Sequence, residues 1–93
     1  MSVEWFKWAK TVKGLKSSEK FVLICLADYF NDKLGYAYPA QKTIADYTCL
    51  ERSTINRACK SLQKRGFISW KHQHKDSGRY SSNKYVLHRV ADS

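Results

Sequence analysis

Apolar residues recur at helical spacing in the second half of the chain. Ile55, Ala58, Cys59 and Leu62 occupy positions i, i+3, i+4 and i+7, which is the pattern of an amphipathic helix with one buried stripe. A shorter apolar segment around Ile44 precedes this helix, and the connection between the two is too short to be a flexible linker. The pattern therefore predicts two short helices that cross at a tight turn.

The flanking segments complete a small domain. An apolar segment after Ser17, with this serine as the N-cap, predicts a buried central helix. Two apolar segments after Gly66 flank a turn signal and predict a β-hairpin, to which residues 36–38 are expected to add a short strand. We predict a mainly α fold with a small β-hairpin. Its expected parts are an arm over residues 1–14 and a domain over residues 15–90, with helices at about 17–31, 40–47 and 51–65 and strands at about 67–71 and 83–89.

The polar face of the third predicted helix carries the functional signal. Arg52, Asn56 and Arg57 project away from the apolar stripe, and such side chains can meet base edges and phosphates in a major groove. A solvated face is the ordinary explanation of such a pattern, but it does not account for the absence of acidic residues between Glu51 and Gly66. We interpret this helix as a DNA-recognition helix. Followed by a two-stranded hairpin, it gives a winged helix-turn-helix.

Three segments of the chain carry a family resemblance. They are SSEKFVLICLADYFND, YPAQKTIADYTCLERSTINRACKSLQKRGFI and NKYVL, and together they span about residues 15–88. They resemble the winged helix-turn-helix domains of replication initiation proteins from phages, plasmids and related mobile elements. Three positions depart from the pattern, because Ala40 and Glu51 stand where helix-capping serines are usual and Cys49 stands where glycine is frequent.

The resemblance implies the part of a replication initiator that recognises repeated origin sites on double-stranded DNA. The expected contacts lie on the recognition helix, at the start of the helix before it and in the wing, which is the predicted hairpin. The start of a helix is expected to contact phosphate because its backbone N–H groups favour an anion. The expected contacts are Arg52, Ser53, Thr54, Asn56, Arg57 and Lys60; Gln41, Lys42 and Thr43; and His74, Lys75, Arg79, Tyr80 and Lys84.

Composition and charge agree with a nucleic-acid partner. The 93 residues include 17 Lys and Arg against 8 Asp and Glu, a net charge of +9, which suits a polyanion. The excess is uneven, since residues 1–50 hold seven basic and five acidic residues (net +2) and residues 51–93 hold ten and three (net +7). No apolar run is long enough to span a membrane and no secretory signal is visible, so we expect a cytoplasmic protein that does not bind membranes.

Enzymatic chemistry and metal binding find little support in the sequence. No phosphate-binding glycine loop, paired catalytic carboxylates or nucleophile motif occurs, and we expect neither an enzyme nor a cofactor. The histidines of the wing, with Cys59, match no standard zinc spacing. The three cysteines, Cys25, Cys49 and Cys59, are expected to be reduced core residues.

The aromatic residues of the N-terminal arm leave two alternatives open. Trp5, Phe6 and Trp8 either fold back to cover the domain or form a self-association surface. We predict a homodimer through these residues, because a single winged helix contacts few base pairs and specific recognition usually needs a second copy. Two rival functions remain, a small transcriptional repressor and a winged helix that binds an acidic protein partner.

Overall fold

In the computed structural model, which describes residues 3–71 and 83–89, four helices precede a two-stranded antiparallel hairpin. The elements are α1 (Val3–Thr11), α2 (Ser17–Asp28), α3 (Gln41–Thr48), α4 (Arg52–Lys64), β1 (Ile68–Lys71) and β2 (Lys84–Leu87). This mostly helical architecture with a terminal hairpin confirms the predicted fold class, a winged helix-turn-helix.

The central helix is α2, because apolar residues occur on nearly all of its sides. Val22, Leu23, Leu26 and Ala27 are fully buried, and α2 contacts α1, α3, α4 and β2. A helix that is apolar all round has to be covered by its neighbours. The other elements are therefore arranged around α2.

The start of α2 corrects one prediction. Ser17 lies inside the helix, and the N-cap residue is Lys16, whose backbone is extended. The reason is Glu19, because its carboxylate accepts a hydrogen bond from the backbone N–H of Lys16 at 2.9 Å. Glu19 thus satisfies the backbone N–H of the N-cap residue, as the glutamate of a capping box does, while no N-cap side chain bonds the first turn of α2.

Glu19 also joins α2 to α4. The hydroxyl group of Ser61 donates a hydrogen bond to its second carboxylate oxygen, and the residue is only 4% exposed. Burial by itself would raise the pKa of this carboxyl. The hydrogen bonds from Ser61 and the Lys16 backbone, with the nearby positive charges of Arg65 and Lys16, nevertheless lower the pKa of Glu19 below its usual value. The ionised carboxylate therefore anchors the start of α2 to the C-terminal half of α4.

The end of α2 comes earlier than predicted, at Asp28 rather than at about residue 31. The side-chain oxygen of Asn31 accepts hydrogen bonds from the backbone N–H groups of Lys33 and Leu34, at 2.9 and 3.0 Å. Asparagine favours such local turns, which compete with helical hydrogen bonding. The chain therefore reverses after α2 and brings Ala37 to the hairpin.

The hairpin covers part of the core, with β2 in contact with α2 and β1 in contact with α4. In the antiparallel register, Ile68 faces Leu87 and Trp70 faces Tyr85. Ala37 and Tyr85 exchange two backbone hydrogen bonds of 2.8 Å, so the expected third strand is present as a single bridge. Tyr85 is fully buried, and its ring stacks on that of Trp70 at 6.2 Å.

The segment predicted as an N-terminal arm forms α1, which packs on α2 as part of the same core. Ala9 is fully buried. The ring of Trp5 lies 5.1 Å from that of Phe30, and the ring of Trp8 lies 6.2 Å from that of Phe67. For Trp5 and Trp8 this arrangement corresponds to the alternative in which the aromatic residues cover their own domain, whereas the Phe6 ring contacts the ammonium group of Lys10 at 5.1 Å. The homodimer contact through α1 stays a prediction.

Two basic side chains fix the loop between α1 and α2. The ammonium group of Lys20 donates hydrogen bonds to the backbone carbonyls of Lys10 and Val12 at the end of α1. The guanidinium group of Arg65, which follows α4, donates to the carbonyl of Gly14 at 3.1 Å. The loop is therefore tied to both α2 and the end of α4.

Candidate nucleic-acid interface

The polar face of α4 lies at the surface, opposite the buried stripe that the sequence pattern predicted. Ile55, Cys59 and Leu62 are fully buried and Ala58 is 3% exposed. The predicted DNA-contacting residues of α4 are more accessible than this stripe. Arg52, Ser53, Arg57 and Lys60 are exposed, and Thr54 and Asn56 are half-buried.

The turn before α4 is held by backbone geometry and by a threonine. Cys49 adopts the left-handed conformation, with φ 60° and ψ 28°, and its N–H donates to the carbonyl of Ala45 at 2.8 Å. The hydroxyl of Thr48 donates to the carbonyl of Ile44 and accepts from the N–H of Leu50. The tight turn leaves Cys49 exposed, so the expectation that every cysteine is a core residue is wrong at this position.

The other two cysteines are buried in the core. Burial raises the pKa of Cys25 and of Cys59 to about 12, so both are protonated thiols at neutral pH. A thiol in this state is a poor metal ligand, because the thiolate is the form that binds. Over the ranges that the structure describes, no group of three or more His, Cys, Asp or Glu residues could hold a metal ion.

Neither of the two N-cap residues, Ala40 before α3 and Glu51 before α4, bonds its helix through its side chain. Both have extended backbones and accept the first intrahelical hydrogen bond through their carbonyl groups, from Ile44 and Ile55 respectively. The first turns of α3 and α4 thus begin without the side-chain caps that serine would provide.

The start of α3 meets the polar face of α4 through a pair of carboxamides. Gln41 Nε2 donates a hydrogen bond to Asn56 Oδ1 at 2.8 Å. Gln41 and Thr43 are half-buried, whereas Lys42 between them is exposed. Two of the three regions expected to contact DNA are therefore in direct contact with each other.

Among the described residues, no carboxylate forms a salt bridge with the basic side chains of α4. Between residues that the structure describes, the salt bridge found is that of Arg89 with Glu4, at 3.8 Å, and neither residue belongs to α4. The exposed Arg52, Arg57 and Lys60 thus keep their charge available to a polyanion.

The wing is described only in part. Lys84, on β2, is half-buried, and its ammonium group lies 4.7 Å from the centre of the Tyr36 ring, a cation–π contact. The side-chain oxygen of Gln63 accepts a hydrogen bond of 2.8 Å from the backbone N–H of Trp70 and so ties the hairpin to α4. The remaining predicted wing contacts, His74, Lys75, Arg79 and Tyr80, lie outside the described residues.

Two hydrogen bonds of this surface could not be anticipated from the sequence pattern. The Gln41–Asn56 hydrogen bond joins residues on different helices, and the Gln63–Trp70 hydrogen bond joins a helix to a strand. Hydrophobic periodicity reports which residues share a face of one element, but not which polar residues meet between elements.

Comparison with known proteins identifies a family. A family model described as "Helix-turn-helix domain" matches residues 13–68, more than half of the chain, which includes α2, α3, the turn and α4. The chain belongs to the helix-turn-helix domain family. No curated protein and no solved structure matches it.

Membership of the helix-turn-helix family indicates DNA binding. In helix-turn-helix domains the second helix of the motif enters the major groove, and in this chain that helix is α4. No helix among the described residues of this helix-turn-helix domain is long and apolar enough to cross a membrane.

Proposed function

We propose that this helix-turn-helix domain binds double-stranded DNA in a sequence-specific manner, with the N-terminal half of α4 in a major groove. The observation that carries the proposal is the exposure of Arg52 at the start of α4 and of Ser53, Arg57 and Lys60 on the face opposite its buried stripe. Arginine and asparagine side chains on such a helix can read base edges, and lysines at its margin can contact phosphates.

The elements around α4 have complementary roles in this proposal. Lys42 and Thr43, in the first turn of α3, would contact the DNA backbone beside the groove, because phosphates are favoured at helix N-termini. Lys84 and the basic residues of the hairpin loop would contact phosphates on the neighbouring side of the duplex. Phosphate contacts set register and affinity, whereas base contacts on α4 set specificity.

The proposed biological setting is origin recognition by a replication initiator of a phage, plasmid or mobile element. This setting rests on the family resemblance of three segments within residues 15–88, and it remains a prediction, as does the binding of repeated sites by a homodimer. The alternative within DNA binding is a transcriptional repressor. Selecting bound sites from random DNA, and mapping them onto the genome of the element that encodes the protein, would separate an origin from a promoter.

The Arg57→Ala variant tests the orientation of α4. If Arg57 reads a base through two hydrogen bonds, its loss should cost about 1–3 kcal/mol on the selected site and relax the preference at one base pair. The matched control is Lys64→Ala, which also removes one exposed positive charge from α4 but at its C-terminal end. Affinity is measured by fluorescence anisotropy at fixed salt on the selected site and on random DNA.

The possible results separate the roles of Arg57. Equal losses of affinity on both DNAs would assign Arg57 to a phosphate, and no loss on either would refute the proposed orientation of α4. Binding that ignores DNA sequence but responds to an acidic protein partner would favour a protein-interaction module instead.

A further inference from the structure

A hydrogen bond joins two residues of the proposed interface before any DNA is bound. Gln41, the first residue of α3, donates from Nε2 to Oδ1 of Asn56 in the N-terminal half of α4, at 2.8 Å. Both residues are half-buried, so the pair lies where α3 and α4 meet. The carboxamide of Asn56 is therefore held in one orientation rather than free to rotate.

The orientation matters because the two ends of a carboxamide are chemically different. The oxygen accepts hydrogen bonds and the NH₂ group donates them. An asparagine that reads adenine uses both ends, with the oxygen accepting from adenine N6 and the nitrogen donating to adenine N7. In this protein the Asn56 oxygen already accepts from Gln41. The end of the Asn56 carboxamide that remains for a base is therefore its amino group, a donor.

Donor groups in the major groove suit one base above the others. Guanine offers two adjacent acceptors, O6 and N7, whereas adenine offers N7 next to the N6 amino donor and thymine offers a single acceptor, O4, beside its methyl group. A donor edge meets both guanine acceptors but faces a like donor at adenine N6. The same argument disfavours cytosine, which presents the N4 amino donor.

We propose that Gln41 is a positioning residue for specificity, which orients Asn56 so that its amino group faces the groove and selects guanine over adenine at one base pair. The inference rests on the proposed function, because it requires α4 to lie in a major groove. It gives Gln41 a role in base selection, which differs from the backbone contact expected from the sequence.

Two substitutions at the same position test this proposal. Gln41→Ala removes the donor, so Asn56 can rotate and the preference for guanine over adenine should fall about tenfold. Gln41→Glu keeps the size of the side chain but leaves only acceptors. The Asn56 amino group then donates to the introduced carboxylate, its oxygen faces the groove, and the preferred base should change to adenine or cytosine.

The experiment is selection from random DNA with the wild type, both variants, Asn56→Ala and the control Lys42→Ala. Asn56→Ala identifies the base pair that Asn56 contacts. Lys42→Ala, an exposed neighbour of Gln41, should weaken binding to all sequences and leave the preferred base unchanged. Far-ultraviolet circular dichroism establishes that each variant is folded before its preferences are compared.

The results distinguish this proposal from the one on which it rests. A wild type without sequence preference overturns the proposed function, and this inference with it. A wild type that prefers guanine at the Asn56 base pair, with that preference unaltered by both changes at Gln41, overturns only the positioning role. A wild type that prefers adenine there also overturns it. A purely structural role for Gln41 would lower affinity in Gln41→Glu without changing the preferred base.

Discussion

Replacing Cys49 with glycine should stabilise this helix-turn-helix domain. Cys49 has φ 60° and ψ 28°, where the Cβ of an L-residue comes close to the following carbonyl oxygen at a cost of about 1–2 kcal/mol. Glycine avoids this cost, but its freer unfolded chain offsets about 0.4–1 kcal/mol of the gain. Because Cys49 is exposed, little packing is lost with its side chain. With mid-range values of about 1.5 and 0.7 kcal/mol for the two effects, the net gain is about 0.8 kcal/mol.

The measurement is thermal unfolding followed by circular dichroism under reducing conditions. For a domain of this size, about 1 kcal/mol corresponds to roughly 4–8 °C in Tm, so Cys49→Gly should melt about 3–6 °C above the wild type. The control is Cys49→Ala, which removes the thiol but keeps the Cβ. It should lie within about 0.5 kcal/mol of the wild type.

The comparison between the two variants decides the question. If glycine melts no higher than alanine at this position, the left-handed backbone carries no strain and the reasoning is wrong. If both variants gain equally, the sulfur atom rather than the Cβ is responsible. Either result would remove the physical reason for expecting glycine at this turn.

Three further predictions concern stability, the wing and assembly. The carboxylate of Glu19 has a pKa below its usual value, so its contribution to stability is present above the unfolded-state pKa and is lost as pH falls through the folded-state pKa. The Tm difference between the wild type and Glu19→Gln should therefore shrink as the solution is acidified from pH 7, and a constant difference would contradict this. Neutralising Lys75, Arg79 and Lys84 together should weaken binding to every DNA sequence. The slope of log affinity against log salt should become flatter by about 0.9 for each phosphate contact that is lost, whereas an unchanged slope would place the wing away from DNA. Sedimentation of the free protein should show a homodimer at micromolar concentrations, and a monomer would refute a stable interface through α1.

The parts of the fold that follow from local pattern could be predicted from the sequence. The spacing of Ile55, Ala58, Cys59 and Leu62 predicts a buried stripe, and the structure buries all four. The opposite face of α4 is then exposed by geometry alone, because a helix has a fixed number of residues per turn. The spacing of apolar residues does not predict the conformation of the turn at Cys49, because a left-handed backbone conformation fixes the geometry there.

Interactions between distant polar residues could not be predicted in this way. Ser17 is a good capping residue in isolation, but α2 begins with Ser17 inside the helix, and Glu19 accepts hydrogen bonds from the Lys16 backbone and from Ser61 on another helix. The bond between Gln41 and Asn56 depends on the angle at which α3 meets α4. Both depend on tertiary packing, which overrides local preference.

The burial of Tyr85 has a consequence for the protein during its synthesis. Tyr85 is the largest of the fully buried side chains among the described residues, and it is bonded through its backbone to Ala37, far earlier in the chain. All four helices precede Tyr85 in the chain and leave the ribosome before it. Until Tyr85 emerges, the side of the helical core that it covers is exposed to solvent. Chains that are interrupted before β2 would expose that apolar surface to chaperones and proteases. The pairing of β2 with β1 and with Ala37 thus couples the lifetime of each new molecule to the completion of its hairpin.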